Sequence, residues 1–162
     1  MADAVFSACV LNSFIRNCKD VEIGGLSPIV NTRGALFVHP KGIVRRTTFH
    51  VLSMYANKLE KNVLPIRLNS EKLVRGNQSV PVLDAIVTCN DAKNRFVIAV
   101  VNKSPDKAVE FAPDFELLTG SSPNDYNDIG SENRVVPKET TLKIKDGKII
   151  LPPHSLTFVE LQ

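Results

Sequence analysis

The sequence predicts a mainly β chain: a carboxy-terminal antiparallel β-sandwich of jelly-roll type, preceded by a short α-β-α segment. Three observations carry this expectation. From about Asn62 onward the chain breaks into eight short β runs separated by turns, with no helical period between them. Residues 1–61 instead follow the order helix, strand, long loop, helix, which is the punctuation of an α/β unit. Hydrophobic residues make up 43% of the 162 and charged residues 23%, close to the soluble average, so disorder and collagen-like architecture are excluded.

Residues 3–18 read as a helix, because the interior lacks Gly and Pro and Asp3 can cap the first turn. Ala4, Ala8, Leu11, Phe14, Ile15 and Cys18 form one broad stripe at 100° per residue, while Val5, Phe6, Cys9 and Val10 fall on the other faces. A helix apolar nearly all round its first half needs cover, since apolar surface left in water forfeits roughly 25 cal/mol per Å². Val21–Leu26 follows as a strand stopped by Ser27-Pro28, since Pro cannot donate to a ladder. Ile29–Gly42 is extended and turn-rich, and Phe49, Leu52, Ala56 and Leu59 keep helical spacing in a second helix over Arg45–Leu59. No second α/β unit occurs, so the strand over 21–26 lacks a parallel neighbour in its own chain.

The β runs beyond are Val63–Leu68, Val82–Cys89, Arg95–Asn102, Lys107–Phe111, Phe115–Thr119, Thr140–Lys145, Lys148–Leu151 and Ser155–Leu161. Cys89–Asn94 and the Asp146-Gly147 dipeptide are hairpin signals, the second of type I′.

Charge and cysteine content narrow the function classes. The net charge of +3 is too small for a dedicated nucleic-acid binder. It is unevenly spread: residues 1–80 carry eleven basic and five acidic side chains, and the remainder nine and twelve. Cys9, Cys18 and Cys89 show neither disulfide nor zinc spacing, which points to a reducing, cytoplasmic compartment. The longest apolar run, Phe96–Val101, falls far short of the ~20 residues that cross a bilayer, and the acidic opening is unlike a signal peptide. The sequons at Asn77 and Asn102 would matter only in a secreted protein and are read as chance.

Several separated blocks, in order, carry a resemblance. Ala2-Asp3-Ala4-Val5-Phe6-Ser7-Ala8-Cys9-Val10-Leu11-Asn12 is similar to the seventh barrel helix of the α-L-arabinofuranosidases of glycoside hydrolase family 51. Glu22–Gly34 (Glu-Ile-Gly-Gly-Leu-Ser-Pro-Ile-Val-Asn-Thr-Arg-Gly) resembles that family's eighth strand and following loop, and Arg46-Thr47-Thr48-Phe49-His50-Val51 the start of its last barrel helix. Val80–Ala85, Leu118–Asp128 and Leu151–Ser155 resemble its carboxy-terminal β-sandwich. The resemblance implies a boundary near residue 61: residues 1–61 as a remnant of a (β/α)₈ barrel, and 62–162 as the sandwich. It further implies a retaining hydrolase that removes terminal α-L-arabinofuranosyl groups from arabinan or arabinoxylan in L-arabinose metabolism. The catalytic pair would be two glutamates upstream of Met1, so the chain alone is expected to be inactive. The expected partners are the missing barrel portion, an arabinose-containing oligosaccharide or polysaccharide once complete, and further copies, since intact relatives often form hexamers; no membrane or nucleic-acid partner is expected.

A retaining glycosidase needs two carboxyl groups ~5–5.5 Å apart at the anomeric carbon. Asp3, Asp20, Glu22 and Glu60 are the carboxylates in the barrel-like part, and only Glu22 lies in the strand, near its beginning and away from the carboxy-terminal end where barrel sites gather. A structural ion pair is its expected role, and no residue of this chain is assigned to catalysis. Ser27, Asn31 and Arg33 follow the strand directly, where side chains would enter a sugar site by hydrogen bonding or else hold the turn. In many relatives a glutamine touches the sugar where Pro28 stands here, so that contact is lost. His39, His50 and His154 lack metal spacing and are read as surface or hydrogen-bonded residues. Asn124–Gly130 resembles a calcium loop, but Ile129 stands at the fifth ligand position and Val136 at the twelfth, so an Asx-rich turn is expected. No cofactor or metal is expected.

Two alternatives have a different character. A free sandwich could bind polysaccharide, although eight Phe, two Tyr and no Trp make a poor stacking platform. An assembly module could instead join a separately encoded barrel through the apolar first helix.

Overall fold

The computed structural model describes residues 1–109, 115–118, 121–140 and 150–161. The chain begins with helix α1 (Ala2–Arg16), followed after a long extended stretch by a hairpin of β1 (Leu36–His39) and β2 (Gly42–Arg45) and by helix α2 (Thr47–Lys58). The β part comprises β3 (Asn62–Leu64), β4 (Lys72–Arg75), β5 (Gln78–Pro81), β6 (Leu83–Cys89), β7 (Phe96–Asn102), β8 (Phe115–Leu118), β9 (Lys138–Thr140) and β10 (Ser155–Leu161).

Six of these strands form one antiparallel sheet in the order β3-β6-β7-β10-β8-β9, and β4-β5 is a separate hairpin. The sheet is buried on both faces, and strand alternation sorts its side chains between them. Ile86 of β6, Val97, Ala99 and Val101 of β7, and Leu156 and Phe158 of β10 form one core with Met1, Ala4 and Ala8 of the first helical segment and with Val51, Met54 and Tyr55 of α2. Leu83, Ala85 and Val100, one residue out of phase, face the other way and pack with Val82 and Leu151, against which Leu73 of β4 and Val109 also lie. A one-residue slip of β7 would exchange these sets, so burial on both faces fixes the register. The mainly β, antiparallel class expected from the β runs is the class observed.

The small side chains of Ala4 and Ala8, both fully buried, let α1 lie close against α2 and the sheet. Between them and the sheet sits a polar knot. Asn12 is wholly buried. Its Nδ2 donates to Asp84 Oδ2 at 3.0 Å, and the Tyr55 hydroxyl lies 2.6 Å from its Oδ1 and 3.1 Å from the Ala8 carbonyl. Arg16 donates to the other Asp84 oxygen and to the Ala85 carbonyl. The Tyr55 ring also meets Phe158 edge to face at 5.2 Å. A second tie runs from the end of α2 to the sheet, where Arg95 bridges Glu60 and Glu160 at 3.0 and 3.1 Å.

Several expectations need correction. The helices are shorter than their sequence pattern suggests, ending at Arg16 and beginning at Thr47. Val21–Leu26 forms no strand: no residue from Glu22 to Pro28 makes a backbone hydrogen bond among the described residues, because no neighbouring strand is at hand. Ile29–Gly42, expected to be irregular, contains β1 and the first residue of β2, whose two-residue turn Pro40-Lys41 closes on Gly42 at φ 144°. Gly76-Asn77 turns β4 into β5, with Gly76 at φ 58°; this hairpin is absent from the expected β runs although Gly-Asn is a two-residue turn signal. The run over Val63–Leu68 pairs only to Leu64, where Pro65 ends donation to the ladder. The Cys89–Asn94 turn forms as expected: Asn90 Oδ1 accepts from the backbone N–H groups of Asn94 and Arg95, and Lys93 takes a positive φ. Of Lys107–Phe111 and Lys148–Leu151, only the bridge between Val109 and Leu151 lies among the described residues. Most of Thr140–Lys145 and the Asp146-Gly147 turn lie outside them.

Candidate functional site

Two features of the segment between the helices bear on function. The first is the stretch after α1, which follows the helix without a covering partner. Ile23 is 91% exposed, and Leu26, Ile29 and Val30 are exposed with it. Phe6 on α1 and Ile43 on β2 are also exposed, at 71% and 64%. Leaving one such side chain in water forfeits about 1.5–3 kcal/mol relative to burying it. Several together forfeit an amount comparable with the ~5–15 kcal/mol that holds a domain folded. From Glu22 to Pro28 the backbone makes no hydrogen bond among the described residues, which is the template for strand addition.

The second feature is the loop that follows and the cavity beside it. Asn31 and Thr32 take left-handed φ values of 58° and 45°. The Asn31 N–H donates to Leu36 O at 2.7 Å, and its side-chain oxygen accepts from the Val38 N–H at 2.8 Å, so Asn31 spends both groups on holding β1. Gly34 is required there, because a Cβ would stand 2.4 Å from the Ile29 carbonyl oxygen. Ser27 is exposed and makes no hydrogen bond among the described residues. Arg33 lines a cavity of about 430 Å³ at the shared amino-terminal end of α1 and α2, with Asp3, Arg46, Thr48, Tyr126 and Asp128. Neither Ser27 nor Asn31 reaches its walls, so the structure does not bring the three loop residues into one site.

The far wall of the cavity is the Asp/Asn-rich turn. The Asp125 carboxylate accepts from the N–H groups of Ser121 and Ser122 at 2.6 and 3.0 Å and pairs with Arg134 at 2.8 Å. Burial pushes its pKa up, but these donors, Arg134 and the Met1 nitrogen together outweigh burial and hold the carboxyl below its ordinary 3.8. Asn127 ties the turn to the rest of the chain: its Nδ2 donates to the Arg45 and Val135 carbonyls, and its Oδ1 accepts from the Val135 N–H. The Met1 nitrogen donates to the carbonyls of Pro123 and Asp125. The carboxylates here thus serve structure or line the cavity wall.

The other residues singled out by their chemistry fall elsewhere. Glu22 is exposed and forms no ion pair among the described residues, against the structural pair expected of it, because the strand that would have given it neighbours is absent. His39 Nδ1 accepts from the Lys41 N–H within its turn, and His154 Nδ1 lies 3.3 Å from the Pro105 carbonyl. His50 is half-buried on α2, with Nε2 enclosed and without a hydrogen-bond partner among the described residues; burial, then the nearby Arg45, lowers its pKa from 6.5. Thr47, Thr48 and Tyr126 join the cavity without standing out as site residues in the sequence. Their one signal is the Thr-Thr pair directly after Arg46, which reads only as a helix start until the 121–135 turn is folded over it.

Comparison with known proteins adds three findings. A family model described as the α-L-arabinofuranosidase C-terminal domain matches residues 1–155. The probable α-L-arabinofuranosidase C of Aspergillus terreus is 30% identical over 175 residues, covering 98% of this chain and 34% of its own length, and the α-L-arabinofuranosidase C of Emericella nidulans is 27% identical with the same coverage. Among solved structures, the family 51 α-L-arabinofuranosidase of Thermotoga petrophila superposes with a TM-score of 0.87 at 21% identity, over 99% of this chain and 38% of the other, and the Bifidobacterium longum family 51 enzyme with 0.86 at 21%, over 99% and 35%. The chain therefore spans about a third of the length of the relatives it matches.

Proposed function

The chain belongs to the family of α-L-arabinofuranosidase C-terminal domains, and from that premise we propose that it serves as the carboxy-terminal part of a retaining α-L-arabinofuranosidase whose catalytic glutamates lie in a barrel portion outside these 162 residues. In this reading residues 1–61 are the last units of that barrel and residues 62–162 its sandwich. The observation that carries the reading is the exposed stretch over 22–28, with Ile23 91% exposed and no backbone hydrogen bond among the described residues. A segment of this kind is a barrel strand waiting for neighbours on each side. The sandwich supplies the foundation: α1 and α2 are bolted to the sheet through Asn12, Tyr55 and Asp84, which fixes where the open stretch is presented. In this reading Arg33 meets the sugar, which its position on the cavity wall supports, while Asn31 acts only through the loop it holds.

The test is hydrolysis of an aryl α-L-arabinofuranoside. The purified chain is expected to give no turnover above a blank, and co-expression with the barrel portion is expected to restore it. Turnover by the 162-residue chain alone overturns the proposal, and so does a soluble, co-purifying pair without turnover.

A further inference from the structure

We infer that the cavity at the head of α2 binds a hydroxyl-bearing oxyanion. Every α-helix opens with backbone N–H groups that lack an intrahelical acceptor, and a capping side chain or water ordinarily serves them. The N-cap of α2 is Arg46, which has no acceptor to offer, and no side chain caps the helix. The Phe49 N–H reaches the Arg46 carbonyl at 3.0 Å, but those of Thr47 and Thr48 find no acceptor among the described residues. These two residues are only 4% and 8% exposed. The Thr48 hydroxyl is likewise enclosed without a hydrogen-bond partner among the described residues, and Thr48 lines the cavity. A helix head whose first two N–H groups and a threonine hydroxyl lack partners among the described residues, beside a cavity, favours an occupant that accepts.

The charged walls specify that occupant. Arg33 makes no hydrogen bond or ion pair among the described residues, which leaves its whole fork of donors free. Arg46 spends one nitrogen on the Thr32 carbonyl at 2.6 Å and lies over the Phe37 ring at 4.9 Å, a placement that fixes the guanidinium and leaves donors over. Two guanidinium groups and a helix amino terminus favour negative oxygen. Asp3 and Asp128 also line the cavity. One Asp128 oxygen accepts from the Ile129 N–H, and the remaining carboxylate oxygens repel a bare anion but accept from hydroxyl groups. A small phosphate or carboxylate compound that also carries hydroxyls meets both halves of the cavity. The inference is independent of whether the chain completes an enzyme.

The test is an amide-resolved NMR titration of the 162-residue chain at constant ionic strength, with glycerol phosphate and glycerate as hydroxyl-bearing oxyanion probes and L-arabinose as a neutral, hydroxyl-only comparison. Saturable shifts at the Thr47 and Thr48 amides are expected with glycerol phosphate or glycerate, and the comparison of the two separates the phosphate from the carboxylate source. Removing one charge-assisted contact in R33Q is expected to weaken binding about tenfold. T48V keeps the backbone donor and the shape, and should weaken binding less while the β7 amides stay in place. Absence of saturable shifts at Thr47 and Thr48, unchanged affinity in R33Q, or equal shifts from L-arabinose would each overturn the inference.

Discussion

At the residue scale the most consequential side chain is Asn12, a polar residue at the centre of an otherwise apolar interface. Because it is wholly buried and joined to both Tyr55 and Asp84, Asn12→Ala removes one partner from each, leaving the hydroxyl the Ala8 carbonyl and the carboxylate Arg16, and should cost about 1–3 kcal/mol. A chain of this size then loses roughly 2–4 °C of melting temperature per kcal/mol. Tyr55→Phe should cost less, and the double variant less than the two singles together, since they share one bond. Additive effects in urea denaturation would refute the shared network. Asp125 predicts the acid response. Its carboxyl binds protons less tightly folded than unfolded, so its contribution is complete above 3.8 and is lost as pH falls through that value and on through the lower folded one. Asp125→Asn should flatten the acid limb of stability against pH; an unchanged limb would place the sensitivity elsewhere. Thiol reactivity separates the cysteines: Cys18 is exposed, whereas burial, aided by Asp84, pushes the Cys9 thiol up to about 11 and keeps it protonated at neutral pH. Cys18 should be labelled first by a thiol reagent, and equal rates at both would contradict the packing of α1.

At the element scale, the informative positions are the turns. The β1-β2 hairpin and the loop before it depend on Gly34, where an added Cβ would strike the Ile29 carbonyl carbon and oxygen at 2.5 and 2.4 Å. Those atoms belong to backbone tied to Leu36 at 2.9 Å, so they cannot yield without opening the loop. Gly34→Ala should therefore speed hydrogen exchange at the Leu36 and Val38 amides while leaving β7 unchanged, and unaltered exchange at both would show that the loop accommodates a side chain. Gly24 differs, since the nearest neighbour of an added Cβ is the ring of Phe14, a side chain and not backbone. These elements also show what the sequence can reveal. The long β6, β7 and β10 runs are legible because each has seven residues rich in β-branched and apolar side chains, and β7, buried on both faces, is apolar from Phe96 to Val101. The β1-β2 and β4-β5 hairpins are not, because four residues are too few to show a strand period and the signal lies in the turn alone, in Pro40-Lys41-Gly42 and Gly76-Asn77.

At the scale of the whole molecule, one core binds α1 and α2 to the sheet, so the α/β opening is anchored firmly while its strand-like stretch faces outward. That division is half legible in the sequence. The absence of a second α/β unit announces that Val21–Leu26 lacks partners, and the extended, uncovered stretch follows from it. The cavity is not legible, because Asp3, Arg33, Thr48 and Asp128 meet only when the 121–135 turn folds across both helix heads through Asn127. Hydrogen exchange at the amides of Glu22–Ser27 tests the account most directly. In the 162-residue chain they should exchange at nearly the rate of an unstructured peptide while those of β7 stay protected, and the barrel portion should slow them markedly. Protection equal to that of β7 in the chain by itself would contradict it.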